Sequence, residues 1–287
     1  MSLKGFGKYI RNKLATHHSR MSAFLLSAIV SIQSMRLLRV VWDGEDWLHY
    51  WRNNFIAYPL PTAWAVRMLG RHVPFFILGY LPQPGDTVFD IGAGIGTELV
   101  AWSKYVGPKG RVIAIEADPL TFRRMNKLIK YLHLDNVTAV NVAVGETEGY
   151  VEFSQGSVEG QENRVIHGQN TPVEARKKKN ILQVHQTTLS HICEAENIKR
   201  IDFLKMNIEG SEVRALHGLE KSGILPLHAC ICCHDFIGSP ELRTKGAMVS
   251  WLQAHGYNIL PLPEGWNRPS ELDTLFARLT IGERENV

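Results

Sequence analysis

Residues 88–102 read VFDIGAGIGTELVAW. An apolar run meets glycines at alternate positions, 92, 94 and 96, and a helical pattern follows at once. Bare glycine at a strand-to-helix turn lets backbone N–H groups approach a ligand closely. The chain is thereby directed to an α/β sheet with a ligand at the carboxyl end of its first strand. From Gly85 onward strand and helix alternate, the rhythm of a mostly parallel sheet. Strands are expected at Thr87–Ile91, Arg111–Ile115, Val137–Val144, Ile201–Ile208, His228–Cys233, Tyr257–Leu260 and Thr274–Leu279. Helices are expected over Thr97–Tyr105, from Asp118 as N-cap with Pro119 behind it, from Ser211, and over Ala247–His255. Pro261, Pro263, Gly265 and Pro269 mark a bend before the last strand, so a late hairpin adds an antiparallel member. Residues 145–186 break the rhythm with polar residues and glycines and are expected to form an irregular excursion or lid. Within it, Lys177, Lys178 and Lys179 read as a solvated face.

The residues around the glycines choose among nucleotide-type ligands. A nicotinamide fingerprint needs glycine where Thr97 stands. Asp90, at the mouth of the first strand, is awkward beside a pyrophosphate and welcome beside a cation. S-adenosylmethionine carries a sulfonium, an ammonium and no phosphate, so acid plus glycines suits it. Glu116 ends the second strand, where a carboxylate can accept both hydroxyls of a ribose. A dehydrogenase is disfavoured on the same residues.

Charge and apolar pattern set the first 75 residues apart. Residues 1–42 hold seven basic side chains and no acid, while acids outnumber bases in the rest. Such an arm can favour anionic membrane, nucleic acid or an acidic partner surface; no nucleic-acid recognition motif stands behind it. Met21 to Met35 is uncharged and too short to span a bilayer, which takes roughly 20 residues. It reads as a helix packed on the body or a second subunit, or as one lying in a membrane interface. Ser27, Ser31 and Ser34 form a small-residue stripe on it, and an aromatic run from Trp42 to Trp64 follows. Residues 1–75 are expected to be a basic, aromatic, helical extension. Four cysteines, three of them at 230–233, point to a reducing, cytoplasmic setting, with peripheral membrane contact as an option.

A second polar cluster lies on the fourth strand, IDFLKMNIEGSE, where Lys205, Asn207 and Glu209 alternate with apolar residues toward the ligand-binding edge. The next strand places His228, Cys230, Cys232 and His234 on one face. Neighbours there stand roughly 7 Å apart, too far for four to converge on one tetrahedral metal ion. No metal is expected, and the cysteines read as small apolar residues. His234 sits where the crevice opens.

From about Phe76 to Leu279 the chain resembles the FkbM-type family of S-adenosylmethionine-dependent methyltransferases. GDTVFDIGAGIGTE, VIAIEADP, NVAVGETEG, IDFLKMNIEGSE and the His234 strand carry the resemblance. The family's fourth-strand pattern is close to D-F-x-K-x-D-x-E-G-x-E, matched by Asp202, Phe203, Lys205, Glu209, Gly210 and Glu212. Its second Asp is Asn207 here, and its Leu-Asp pair ahead of that strand reads Leu189-Ser190.

The resemblance implies a class I methyltransferase-like (Rossmann-like) domain over residues 76–287. That domain is a mostly parallel seven-stranded sheet with helices on both faces. It implies O-methylation of a sugar, glycolipid, polyketide or similar hydroxyl. Asp90, Gly92, Ala93, Gly94, Gly96, Glu116, Ala117, Asn141, Val142 and Asn207 would bind the donor. His234, Glu209 and Asn207 would be catalytic, with His234 as base by type. Lys205 and Glu212 would bind the acceptor, under a cover made by the aromatic run and the 145–186 excursion. A second reading is a non-catalytic cofactor-binding or interaction protein, motivated by Asn207 and Ser190. The basic arm would provide a peripheral membrane contact or a contact between copies.

Overall fold

Ser19 starts the first helix by accepting a hydrogen bond from the Ser22 N–H. This helix, α1 (Arg20–Ser34), ends at Met35 in the left-handed conformation. Its serines turn inward. The N–H of Val40 donates to Ser27 Oγ (2.8 Å) and that of Leu38 to Ser31 Oγ (2.9 Å). The helix thereby covers the edge of an antiparallel meander, β1 (Arg39–Trp42), β2 (Trp47–Trp51) and β3 (Asn54–Tyr58). Trp47, His49 and Trp51 point to the core at period two. His49 is fully buried, accepts from the Thr62 N–H, and is held neutral, its pKa lowered by burial to about 4. The extension is thus helix plus sheet rather than helical. Its aromatic run alternates to fill a core, which is why it forms strands.

The computed structural model describes residues 13–156, 163–166, 180–238 and 243–280. The Lys177–Lys179 run, and Lys4, Lys8 and Arg11 of the basic arm, lie outside the described residues. Two short helices, α2 (Ala63–Met68) and α3 (Val73–Phe76), lead from the meander into the body. There follow β4 (Thr87–Ile91), α4 (Leu99–Val106), β5 (Arg111–Ile115), α5 (Pro119–Tyr131) and β6 (Val137–Val140). After them come β7 (Ala143–Val144), β8 (Gly149–Gln155), β9 (Arg164–Val165), β10 (Asn180–Thr187), α6 (Leu189–Ala195) and β11 (Phe203–Met206). The chain continues with α7 (Glu212–Glu220), β12 (His228–Cys232), a 3-10 turn at Asp235–Ile237, and α8 (Lys245–Ala254). It closes with β13 (Tyr257–Ile259), α9 (Pro269–Leu272) and β14 (Thr274–Leu279).

The main sheet has seven strands in the order β13-β14-β12-β11-β4-β5-β6, and only β14 opposes the rest. Successive strand residues feed opposite faces. Phe89, Ile113, Leu204 and Ile231 pack under α6, α7 and α8; Val88, Val112, Phe203 and Cys230 pack under α4 and α5. The expected α/β architecture is therefore present, late antiparallel strand included.

Two expectations change. The third strand breaks at Asn141–Val142, and β7 leaves the main sheet. The 145–186 excursion is ordered where described: β7-β10-β8-β9 form a second sheet, with β8 and β10 paired antiparallel from Gly149↔Gln186 to Gln155↔Asn180. Ser190, where the family pattern has Asp, donates to the Leu219 carbonyl and accepts from the Ser222 N–H, so it ties α6 to the end of α7.

The extension is fastened to α5. Phe55 stacks on Tyr131 (4.6 Å between centroids), and Leu128 lies in the meander's core. The acids of the β1–β2 turn meet the bases of the helix: Asp46 with Arg124 (2.7 Å) and Lys127 (2.8 Å), Asp43 with Lys127 (2.6 Å), Glu45 with Arg123 (2.8 Å). The aromatic run is consequently committed to the outer side of α5 and does not cover the crevice described below.

Between the two central strands, Lys205 and Asp90 form a buried ion pair (Nζ–Oδ1 2.9 Å). Asp90 also accepts from Trp102 Nε1 (2.9 Å), and Lys205 donates to the Gly92 carbonyl (2.9 Å). Burial opposes the charge on Lys205, but Asp90 and Glu98 outweigh it and raise its pKa. Removing one partner of such a pair typically costs ~3–5 kcal/mol, because the other is stranded. Lys205→Met should lose stability on that scale in urea unfolding, and Asp90→Asn/Lys205→Met should regain most of it.

Candidate active site

The carboxyl ends of β4, β5 and β11 open onto a crevice of about 520 Å3, within the ~300–1,000 Å3 typical of small-molecule sites. Its floor is the glycine loop. Gly92 has φ of 73°, and a Cβ there would stand 2.1 Å from the Asn207 carbonyl oxygen. Gly94 has φ of 59° and nothing within 4 Å of the place a Cβ would take. The loop is therefore pressed against β11 at one glycine and open at the next. Ala93 is buried and donates to the Ile115 carbonyl, while Gly96 faces Leu99 and Met125. Both shape the loop from behind.

Glu116, just past β5, stands at the side of this floor. Its carboxylate accepts from the Gly94 N–H (2.9 Å) and the Asp118 N–H (2.8 Å). Burial pushes its pKa up to about 7, against those two hydrogen bonds. Asn141 donates to the carbonyls of Glu116 and Ala117, propping the strand end without lining the crevice. Ala117 and Val142 form the apolar wall beside it. The roof comes from the second sheet, through Phe153, Asn163, Arg164 and Val165. Asp118 holds that roof: it caps α5 and also accepts from Gln155 (2.6 Å) and Asn163 (3.2 Å).

The opposite end carries the charged cluster. His234 Nε2 lies 3.2 Å from Glu209 Oε1, and its Nδ1 lies 3.2 Å from Glu212 Oε1. Glu212 is buried, and the same oxygen accepts from the Gly210 N–H (3.1 Å). Glu209 is partly open and adopts φ of 53°, a left-handed conformation that costs a residue other than glycine ~1–3 kcal/mol. Burial alone would lower the His234 pKa, but hydrogen bonds and charge from Glu209 and Glu212 raise it to about 10. At neutral pH the ring is an imidazolium held between two carboxylates.

Of the residues expected to bind or react, the crevice brings together Gly92, Gly94, Glu116, Ala117, Val142, Asn207, Glu209 and His234. Asp90 and Lys205 are not there. Expected at the donor and the acceptor, they are buried in each other's company under the loop. The cause is strand parity: they are direct partners in the β4–β11 register, on the face toward α4. Glu212 stands behind His234 rather than facing an acceptor. The 145–186 excursion was expected as a cover, but the sequence singled out none of its roof residues, which sit in a polar stretch with no clear period, nor Phe236 and Ile237, which follow His234 at the mouth.

The open backbone at Gly94, the carboxylate of Glu116 beside it and the apolar walls fit a nucleoside-bearing donor such as S-adenosylmethionine. Glu116 would take its ribose hydroxyls, exchanging the Gly94 N–H for them.

A family model described as the methyltransferase FkbM domain matches residues 90–259. The chain is 25% identical over 119 residues to a protein-L-isoaspartate O-methyltransferase of Methanothermobacter thermautotrophicus, covering 41% of this chain and 54% of that one. It is 32% identical over 94 residues to the protein of the same name from Ignicoccus hospitalis, covering 32% and 43%. The chain thus spans about half the length of the curated relatives it matches. Among solved structures, a methyltransferase FkbM from Methylobacillus flagellatus KT superposes with a TM-score of 0.44 at 17% identity, covering 68% of this chain and 43% of that one. An O-methyltransferase from Bacillus cereus in complex with SAH gives 0.43 at 11% identity, covering 68% and 74%.

The His234 pKa is raised on folding, so the stabilisation from its two ion pairs is complete below about pH 6.5 and fades as pH climbs through about 10. In Glu209→Gln the ring should titrate at lower pH by NMR, and stability should fall less between neutral pH and pH 10. An unchanged midpoint would show that the pairing is absent in solution.

Proposed function

We propose that this chain, which belongs to the FkbM methyltransferase family, is an S-adenosylmethionine-dependent methyltransferase that methylates a hydroxyl group of a sugar, glycolipid, polyketide or similar small molecule. The observation that carries the reading is the Glu209–His234–Glu212 cluster at the crevice, close to where Asn207 and the glycine loop would seat the donor. The donor, when bound, supplies a methyl group on a positively charged sulfur for in-line displacement.

The chain's own residues handle binding, alignment and the proton. Gly92 and Gly94 keep the floor bare, and Glu116 holds the sugar. Alignment of donor and acceptor is the largest contribution open to such a site, up to ~7–11 kcal/mol. A hydroxyl must also lose its proton as its oxygen attacks the methyl carbon. His234 is already protonated at neutral pH, so it does not serve as the free base its residue type suggests. Glu209 is the proposed acceptor of that proton: it is the partly open carboxylate of the cluster, and its other side is fixed by the imidazolium. Glu212 and His234 are then positioning residues, and the strained backbone of Glu209 keeps its carboxylate aimed. Asn207 retains the shape and hydrogen-bonding capacity of an Asp without its charge, which suits orientation of donor or acceptor. The apolar Phe236 and Ile237 at the mouth suit an acceptor with a greasy portion, such as a lipid-linked glycan.

Methyl transfer from labelled donor into hydroxyl acceptors of these classes should fall by about 10²–10⁴-fold in Glu209→Gln. Donor affinity by calorimetry should stay near that of the wild type. Glu116→Ala should weaken donor binding by roughly tenfold or more, the scale of a lost charged hydrogen bond. The product should be an ether stable to mild base. A base-labile product would move the acceptor to a carboxylate. Donor binding without transfer to any of these acceptors would support the non-catalytic reading, which Asn207 motivates.

A further inference from the structure

Helix α1 is apolar on two faces. Its inward face buries Leu26 and Val30 completely, among Ser22, Ser27, Ser31 and Ser34, and Ser27 and Ser31 satisfy the edge of β1. Its outward face is apolar as well. Phe24 is 71% exposed, Ile32 79% and Met35 88%, joined by Met21, Leu25 and, just past the helix, Leu37 at 92%. Met21, Phe24, Leu25, Ile32 and Met35 fall three, four or seven residues apart, so they form one continuous stripe. Exposed side chains of this size normally occur singly; a contiguous stripe marks a surface that meets something apolar.

Charge identifies the partner. Arg20 lies at one end of the stripe and Arg36 and Arg39 at the other, all exposed, in a stretch of 42 residues without one acid. A two-fold pair of copies packed through antiparallel α1 helices would set Arg20 of one copy beside Arg36 of the other, like charge against like. An anionic lipid surface accepts both features: the stripe enters the acyl boundary, and the arginines remain among the headgroups. Crossing is excluded by length, since 15 residues of helix reach ~22 Å against a hydrocarbon core of ~30 Å. No helix among the described residues is long and apolar enough to span a membrane.

We propose that α1 is an in-plane membrane anchor, its outward stripe of Phe24, Ile32, Met35 and Leu37 seated in an anionic bilayer. The serine-lined face fixes the helix to the meander, and the meander is ion-paired to α5. The anchor is therefore rigidly joined to the body rather than tethered by a linker. This inference stands independently of the methyl acceptor.

The test uses the full chain with vesicles of phosphatidylglycerol and phosphatidylcholine, and with vesicles of phosphatidylcholine alone. Co-sedimentation should favour the anionic vesicles by tenfold or more. That preference should be lost at about 1 M salt, where charges are screened beyond ~3 Å. Phe24→Asp/Ile32→Asp changes two exposed positions and should reduce vesicle binding at least tenfold, with donor affinity unchanged as the check on folding. Equal binding by wild type and variant would overturn the proposal. So would a wild-type dimer in sedimentation velocity that the variant dissociates, since the stripe would then be covered by a second copy.

Discussion

One buried ion pair holds the two halves of the sheet in the relation the crevice needs. Lys205 and Asp90 face each other across β4 and β11, and the ammonium also grips the Gly92 carbonyl. Desolvating two charges is expensive, so the pair is a poor source of net stability. What it supplies is position. The first residue of the glycine loop is tied to the fourth strand of the αβ repeat, close enough that Gly92 could carry no side chain against Asn207. The ion pair thereby joins the β4–β11 ladder and the Asn207 N–H to Ile91 carbonyl bond in setting the floor of the crevice against its reactive end.

The reactive end uses charge differently. Two carboxylates compete for one imidazole, and together they hold it protonated at a pH where an unpaired histidine would be largely neutral. The cluster carries a net negative charge beside the place a cationic donor would occupy. Of its two carboxylates, Glu212 is buried and Glu209 partly open. Family membership covers the sheet and the donor side. The roof from β8 and β9 also falls within the matched residues, whereas the extension before β4 lies outside them and away from the crevice.

Sequence reading reached furthest where a pocket is built from backbone. Three glycines at alternate positions and an acid at the end of the next strand are local facts, and the structure puts Gly92, Gly94 and Glu116 in one place. It was least successful where two motifs explain each other. Asp90 stands at the mouth of the first strand and Lys205 near the carboxyl end of the fourth, so each alone reads as a ligand contact; their strand register makes them each other's counter-ion. The aromatic run misled by composition. Its period-two alternation at Trp47, His49 and Trp51 was visible, but the neighbouring helix pattern coloured the reading of the whole extension. A cover from residues 145–186 was legible, but its regular sheet was not, because its strands lie in polar sequence, where pairing of β8 with β10 is decided by contacts distant along the chain.

The order of strands has a consequence for how the protein is made. Among the described residues β13 is paired only through β14, which comes later and slots between β13 and β12. On the ribosome, everything through β12 can assemble as the chain emerges, but β13 waits beside an open sheet edge. Until Thr274–Leu279 clears the exit tunnel, β12 presents unpaired backbone to its surroundings, and any pause in translation there prolongs a state prone to sticking to its neighbours.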